Sequence, residues 1–220
     1  MFYNKYQVHI LSKNLVFPAV DEATVEGILA FGGDLSPERL QLAYQSGIFP
    51  WFNEDEPIIW WAPKTRMVLF LDELMVSKSM RSIIKNNIFE ITFNQNFREV
   101  ISNCRGVKRK GQSGTWISNE MIDAYCKLNE LGVAKSVEVW QNGELVGGLY
   151  GIDLGHVFCG ESMFSKVSNA SKIAFISLVN QLKEGDYKLL DCQVYNEHLE
   201  RLGCREIDRN DFMAILKGKN

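Results

Sequence analysis

Two short segments carry more polar chemistry than a buried strand should tolerate. In Phe158-Cys159-Gly160-Glu161-Ser162-Met163-Phe164 a carboxylate interrupts an apolar run, and the adjacent glycine suggests a bulge or a close backbone approach. In Leu189-Leu190-Asp191-Cys192-Gln193-Val194-Tyr195-Asn196, Asp191 and Gln193 are two residues apart. A regular strand would turn both to one face, and so into a single cleft. Burying a carboxylate is costly unless it is paired or hydrogen-bonded, so Asp191 needs a reason to be there. A functional cleft is one such reason. The structural alternative is that Asp191 and Asn196 cap the following helix or tie down a turn.

Other chemistries find no foothold. The chain contains no G-x-x-x-x-G-K-[ST], G-x-G-x-x-G or G-x-S-x-G, which removes the phosphate-loop, dinucleotide and hydrolase-elbow signatures. An aspartate and a glutamate would suit glycoside hydrolysis, yet nothing else indicates a sugar site. His9, His156 and His198 lie far apart, and the five cysteines are spaced 22, 33, 33 and 12 residues apart with no CxxC pair. No metal, no disulfide framework and no cofactor is expected.

The elements that must hold these segments alternate in type. Ser36-Pro37 reads as an N-cap with proline in the first turn of a helix that carries Leu40, Ala43 and Tyr44 to a stop at Gly47. The rest of the first third reads as loop-rich and aromatic, with three of the five tryptophans between Trp51 and Trp61. After a boundary near Pro63 come a strand at 67–71, a helix capped by Ser77 to about Asn86, a strand at 89–93, and a helical stripe of Phe97, Val100, Ile101 and Cys104. A helix at 118–131 precedes a three-stranded meander at 137–141, 145–152 and 157–164. A long helix at 169–184, a strand at 188–193 and two short helices close the chain. The class is α+β (mixed α/β), with a small aromatic-rich domain at 1–63 and a larger domain at 64–220 built on a mixed, partly antiparallel sheet.

With 220 residues, 46% hydrophobic and 23% charged, the composition is that of a globular protein large enough to bury its own core. No apolar stretch approaches the length of a membrane span, and the N-terminus lacks a secretory signal, so a cytoplasmic protein with no membrane partner is expected. Net charge is −3, but it is unevenly spread: −5 over residues 1–63, +6 over 64–110 and −4 over 111–220. Within the basic segment Lys78, Arg81 and Lys85 fall on one helical face, and Arg105, Lys108, Arg109 and Lys110 crowd a glycine-flanked loop. A solvated face explains one such cluster; two in one segment of an acidic chain point toward a polyanion such as RNA.

Several blocks together resemble the leucyl/phenylalanyl-tRNA–protein transferase family. They are Gly32-Gly33-Asp34-Leu35-Ser36-Pro37, Gly47-Ile48-Phe49-Pro50-Trp51-Phe52, Trp60-Trp61, Gly114-Thr115-Trp116-Ile117, Ser136-Val137-Glu138-Val139-Trp140, the Leu145–Gly151 run, Phe158–Ser165 and Asp191-Cys192-Gln193. The resemblance runs from about residue 17 to residue 212. It implies a bacterial cytosolic enzyme of the N-end rule pathway, with a small N-terminal domain followed by a GNAT-like acyltransferase domain. Its substrates would be aminoacyl-tRNA charged with leucine, phenylalanine or, less well, methionine, and acceptor proteins with N-terminal Lys or Arg. The chain lacks the [RQ]-x-x-G-x-[GA] turn that holds coenzyme A in ordinary acetyltransferases of that fold.

The resemblance places Asp191 and Gln193 at the reacting centre, with Asp191 accepting or merely orienting the attacking amine and Gln193 positioning it or polarising the carbonyl. Leu149, Phe158, Met163 and Leu190 are candidates for the apolar pocket. Trp51 and Trp116 would be walls or a stacking surface for the terminal adenosine. Glu161 is expected to face a cation, and Asn196 completes the expected substrate contacts. Lys78, Arg81 and Lys85 are expected to grip the acceptor stem, with Arg66 and Lys108 beside them, and the protein is expected to act as a monomer. The rival readings are a coenzyme A-dependent acetyltransferase and a non-catalytic RNA-binding module.

Overall fold

A computed structural model describes residues 8–107 and 117–218; Lys108 and Trp116 of the expected site, with Arg109 and Lys110, lie outside the described residues. The first part contains β1 (His9–Leu11), β2 (Ile28–Gly32), α1 (Pro37–Gln45), β3 (Phe49–Pro50) and β4 (Ile59–Trp61). These strands form a four-stranded sheet in the order β1-β2-β4-β3, with β1 parallel to β2 and the other pairs antiparallel. The segment read as mostly loop is thus a small sheet. Its strands are two to five residues long and broken by glycine and proline, so no alternation long enough to recognise develops.

The second part contains β5 (Thr65–Phe70), α2 (Lys78–Lys85), β6 (Glu90–Phe93), α3 (Phe97–Arg105), α4 (Asn119–Glu130), β7 (Ala134–Gln141), β8 (Glu144–Asp153) and β9 (Val157–Ser165). It continues with α5 (Ala170–Glu184), β10 (Leu189–Gln193), α6 (Glu197–Glu200), β11 (Arg205–Asp208) and α7 (Arg209–Leu216). Seven strands pair in the order β11-β5-β10-β9-β8-β7-β6, all antiparallel except β9 and β10. The fold is α+β with a mixed, partly antiparallel sheet, as expected. The added strand, β11, has the sequence Arg-Glu-Ile-Asp; an edge strand faces solvent on one side and needs no apolar alternation.

Local chemistry sets the helix starts. Ser36, Ser77 and Ser118 each accept a hydrogen bond from the backbone N–H three residues on, of Arg39, Met80 and Met121 respectively, which satisfies one otherwise orphaned donor per helix. Packing does the rest. One core cluster joins Leu40, Tyr44 and Trp60 of the first part to Ile101, Tyr125 and Phe212 of the second. Another sits under α5 and contains Ile173, Phe175, Leu178, Leu149 and Leu190. At Gly147 a Cβ would lie 2.5 Å from the Cβ of Ala170, so the missing side chain is what lets α5 settle on the sheet. The expected boundary near Pro63 falls between the two sheets, whose side chains nonetheless share a core.

Candidate active site

A cleft of about 360 Å³ opens where the small sheet meets β8, β9, β10 and α5. Its apolar side is built by Leu149 and Met163, directly paired across β8 and β9, by Leu190 of β10, and by Phe175 and Leu178 of α5. Trp51 closes it from the small sheet, its carbonyl accepting the Trp61 indole N–H at 2.6 Å with the two rings 5.5 Å apart. The polar floor consists of Glu161 and Gln193, joined by a 2.6 Å hydrogen bond from Gln193 Nε2 to Glu161 Oε1.

Glu161 is the hub of the floor. The Tyr125 hydroxyl donates to its other oxygen at 3.3 Å, and Tyr125 is in turn hydrogen-bonded to the Tyr44 hydroxyl. Burial raises its carboxyl from an ordinary 4.5 to about 7, against hydrogen bonds from Tyr44, Gln193 and Tyr125 that pull it down; the nearby Asp191 charge pushes it further up. A carboxyl in this range changes charge near neutrality, so it can take up or release a proton there.

Asp191 lies beneath the floor rather than in it. It is fully buried, and its two oxygens accept from Arg66 Nε at 2.9 Å and Nη2 at 2.8 Å. The remaining guanidinium nitrogen, Nη1, donates to the Gly47 carbonyl, and the Phe49 and Phe212 rings lie 4.7 and 4.6 Å from the guanidinium carbon. The expectation that Asp191 and Gln193 share one strand face fails because the ladder slips between them: Asp191 is opposite Val68, Gln193 opposite Met67, and Cys192 is left over. Gln193 takes the left-handed conformation, with φ 66°, while its backbone N–H donates to Asp191 Oδ1 at 2.8 Å. The bulge therefore re-aims the amide into the cleft and keeps the carboxylate below it.

Trp51, Leu149, Glu161, Met163, Leu190, Gln193 and Asn196 of the expected set meet in this cleft. Asn196 also fulfils the structural alternative: its side-chain oxygen caps α6, accepting from the N–H of His198 and Leu199. Phe158 does not line the cleft. It is 2% exposed, and its ring fills space left by Gly151, where a Cβ would meet it at 2.5 Å. Arg66 is likewise not on a surface that could meet a phosphate; it is 2% exposed and bonded to Asp191. Its place in β5 beside the Asp191 strand turned it inward, which a count of basic residues could not reveal. Lys78, Arg81 and Lys85 are exposed along α2. Tyr44, Tyr125, Phe175, Leu178 and Tyr195 were not anticipated at the site. The first four fall within helices in the sequence, and only tertiary packing brings them to Glu161 and the cleft.

No group of three or more His, Cys, Asp or Glu among the described residues could hold a metal ion, and no helix among them is long and apolar enough to cross a membrane.

Comparison with known proteins adds independent observations. Residues 68–217 match the family model described as leucyl/phenylalanyl-tRNA protein transferase, and residues 33–64 match that of its N-terminal domain. The leucyl/phenylalanyl-tRNA–protein transferase of Flavobacterium johnsoniae is 72% identical over 96% of this chain and 100% of its own length. That of Flavobacterium psychrophilum is 65% identical, again over 96% and 100%. Among solved structures, FemX overlaps 78% of the chain and 66% of its own at 9% identity and a TM-score of 0.49. A GCN5-related N-acetyltransferase from Kribbella flavida overlaps 77% and 60% at 10% identity and a TM-score of 0.40.

Proposed function

The chain belongs to the leucyl/phenylalanyl-tRNA protein transferase family, and from that premise we propose that it moves leucine or phenylalanine, and methionine less well, from aminoacyl-tRNA to the α-amino group of proteins that begin with Lys or Arg. The observation that carries this reading is the cleft itself: an apolar slot of side-chain size whose floor holds a carboxyl titrating near 7 beside an aimed amide.

The reaction forms a C–N bond as the acceptor amine attacks the aminoacyl ester, breaks the C–O bond to the ribose, and returns a proton to that oxygen. The ester is already activated, and an α-amino group with a pKa of about 7.7–8.0 is partly neutral at pH 7. Holding the two in attack geometry supplies up to about 7–11 kcal/mol. Leu149, Met163, Leu190, Phe175 and Leu178 take the leucyl or phenylalanyl side chain, with Trp51, and Trp116 outside the described residues, as walls for the terminal adenosine. Glu161 faces the ammonium group of the aminoacyl moiety or of the acceptor. Gln193 positions the amine or polarises the carbonyl. Asp191, bound on both oxygens by Arg66, acts by orienting Gln193 through its backbone N–H. Asn196 lines the same cleft.

Lys78, Arg81 and Lys85 hold the acceptor stem, with Lys108, outside the described residues, adding to the same charge. The division of the chain near residue 63 is supported by the two sheets and by the separate family-model matches. We place the reaction in the cytoplasm, as the step that marks proteins for N-end rule degradation, carried out by a monomer. The test mixes protein, labelled leucyl-tRNA and a peptide with N-terminal arginine, with an N-terminal alanine peptide as control. Label entering the arginine peptide alone supports the reading, and equal or no incorporation overturns it. Acetyl transfer from acetyl-coenzyme A in the same assay would favour the rival acetyltransferase.

A further inference from the structure

Cys192 sits between Asp191 and Gln193, and its Sγ is 3.7 Å from the Sγ of Cys204. Two features set Cys192 apart from the other thiols. Cys192 is half-buried and lines the cleft, whereas Cys104 and Cys159 are at most 1% exposed and Cys126 lies on α4. Cys192 is also the bulged residue of β10, without a partner in the register of either neighbouring strand, so its backbone can shift more cheaply than a laddered one. Cys204 is 3% exposed and stands just before β11, its N–H bonded to the Leu199 carbonyl. The stretch between the two sulfurs carries Gln193, Val194, Tyr195, Asn196 and Leu199, all lining the cleft.

We propose that Cys192 and Cys204 form a dithiol that excess peroxide oxidises slowly to a disulfide, which clamps both ends of this segment and so reshapes the cleft. The clause about the cleft rests on the proposed function; the disulfide does not. The Cys192 thiolate attacks one oxygen of hydrogen peroxide, the O–O bond breaks, and hydroxide leaves with the sulfur oxidised to sulfenic acid. The Cys204 thiol then attacks that sulfur, the S–S bond forms, and water leaves with the remaining protons. Two thiols and one peroxide give one disulfide and two waters. The S–S bond is about 2.05 Å, so the sulfurs must close by more than an ångström, which the bulge and a rotation of each side chain can supply. The hydrogen bond to Cys204 and burial hold the Cys192 thiol well above its ordinary range, so thiolate is scarce and the first step is slow at neutral pH.

The test treats the full chain with excess hydrogen peroxide, denatures it, blocks remaining thiols with N-ethylmaleimide and maps the peptides by mass spectrometry. The expected product links the Cys192 and Cys204 peptides. Transfer from leucyl-tRNA should fall by up to roughly a hundredfold, the order that an ångström displacement can cost a positioning site, and return with dithiothreitol. In Cys204→Ala, Cys192 should instead proceed to sulfinic acid, and the loss should not be reversed. Wild-type protein in which Cys192 reaches sulfinic acid, or both thiols stay open to N-ethylmaleimide, would overturn the proposal. A link that forms without changing transfer would overturn its effect on the cleft. If neither form transfers leucine, the function assigned to the cleft fails while the peptide map still decides the disulfide.

Discussion

Arg66 grips Asp191, which does not line the cleft, through bonds of 2.9 and 2.8 Å, with the guanidinium against the rings of Phe49 and Phe212. The most prominent carboxylate of the polar strand is therefore a fixed anchor. It holds Gln193 in its left-handed turn, and Gln193 in turn holds Glu161.

Breaking that pair should be expensive. Asp191→Asn leaves the buried guanidinium without a counter-charge, and Arg66→Met does the reverse. Removing one partner of a buried pair costs on the order of 3–5 kcal/mol. Urea unfolding of both variants should show losses of that size, and single-turnover transfer by folded Asp191→Asn should slow with little change in tRNA affinity. Losses below about 1 kcal/mol would mean that the pair does not hold the strand.

Glu161 makes stability depend on pH in a direction fixed by its shift. A carboxyl harder to ionise folded than unfolded takes stability from the native state as it ionises. The stabilising effect of its protonated form is complete below about 4.5 and is lost as pH rises through about 7. Glu161→Gln cannot titrate. The stability of the parent relative to this variant should therefore fall by on the order of 2 kcal/mol between about pH 5 and pH 8. A difference that stays flat across that interval would show that Glu161 titrates normally.

The exposed face of α2 should act through charge alone. Replacing Lys78, Arg81 and Lys85 together by glutamine should weaken aminoacyl-tRNA binding and flatten its salt dependence by about 2–3 units of slope, near one unit for each phosphate left without its cation. Melting temperature should hardly move, because all three side chains are exposed. Unchanged binding at low salt would place the nucleic acid elsewhere.

Met163 should set the size of the aminoacyl slot. Met163→Ala enlarges the wall it shares with Leu149, which should shift the ratio of kcat/KM values toward phenylalanine over leucine by roughly tenfold, within the ~1–3 kcal/mol that such pockets discriminate. A ratio cancels any general loss of folded protein. An unchanged ratio would assign the selective wall to Phe175 and Leu178 instead.

Much of the frame was legible from residue types. The serine caps of α1 and α2 and the stripe of α3 each rest on contacts within a few residues, so the chain announces them locally. The small sheet and β11 were not legible, because their strands are short and take their hydrogen bonds from distant partners: β1 pairs with β2 across some twenty residues, and β11 with β5 across about 140. The site divides in the same way. That Glu161, Asp191 and Gln193 were out of place among apolar neighbours was plain in the sequence. Their arrangement was not, since a one-residue bulge reversed the period-two expectation for Asp191 and Gln193.

The sequence by itself determined the blocks that mark the family, the polar residues placed within apolar strands and the basic charge of α2, because each is a property of composition and spacing. Only the tertiary structure decided that Arg66 neutralises a buried aspartate instead of meeting nucleic acid, that Phe158 fills the core under Gly151, and that Tyr44 and Tyr125 reach Glu161. The reason is physical. Burial and partner choice depend on which surfaces the folded chain brings together, as far apart in sequence as the 125 residues between Arg66 and Asp191, and no local pattern encodes that.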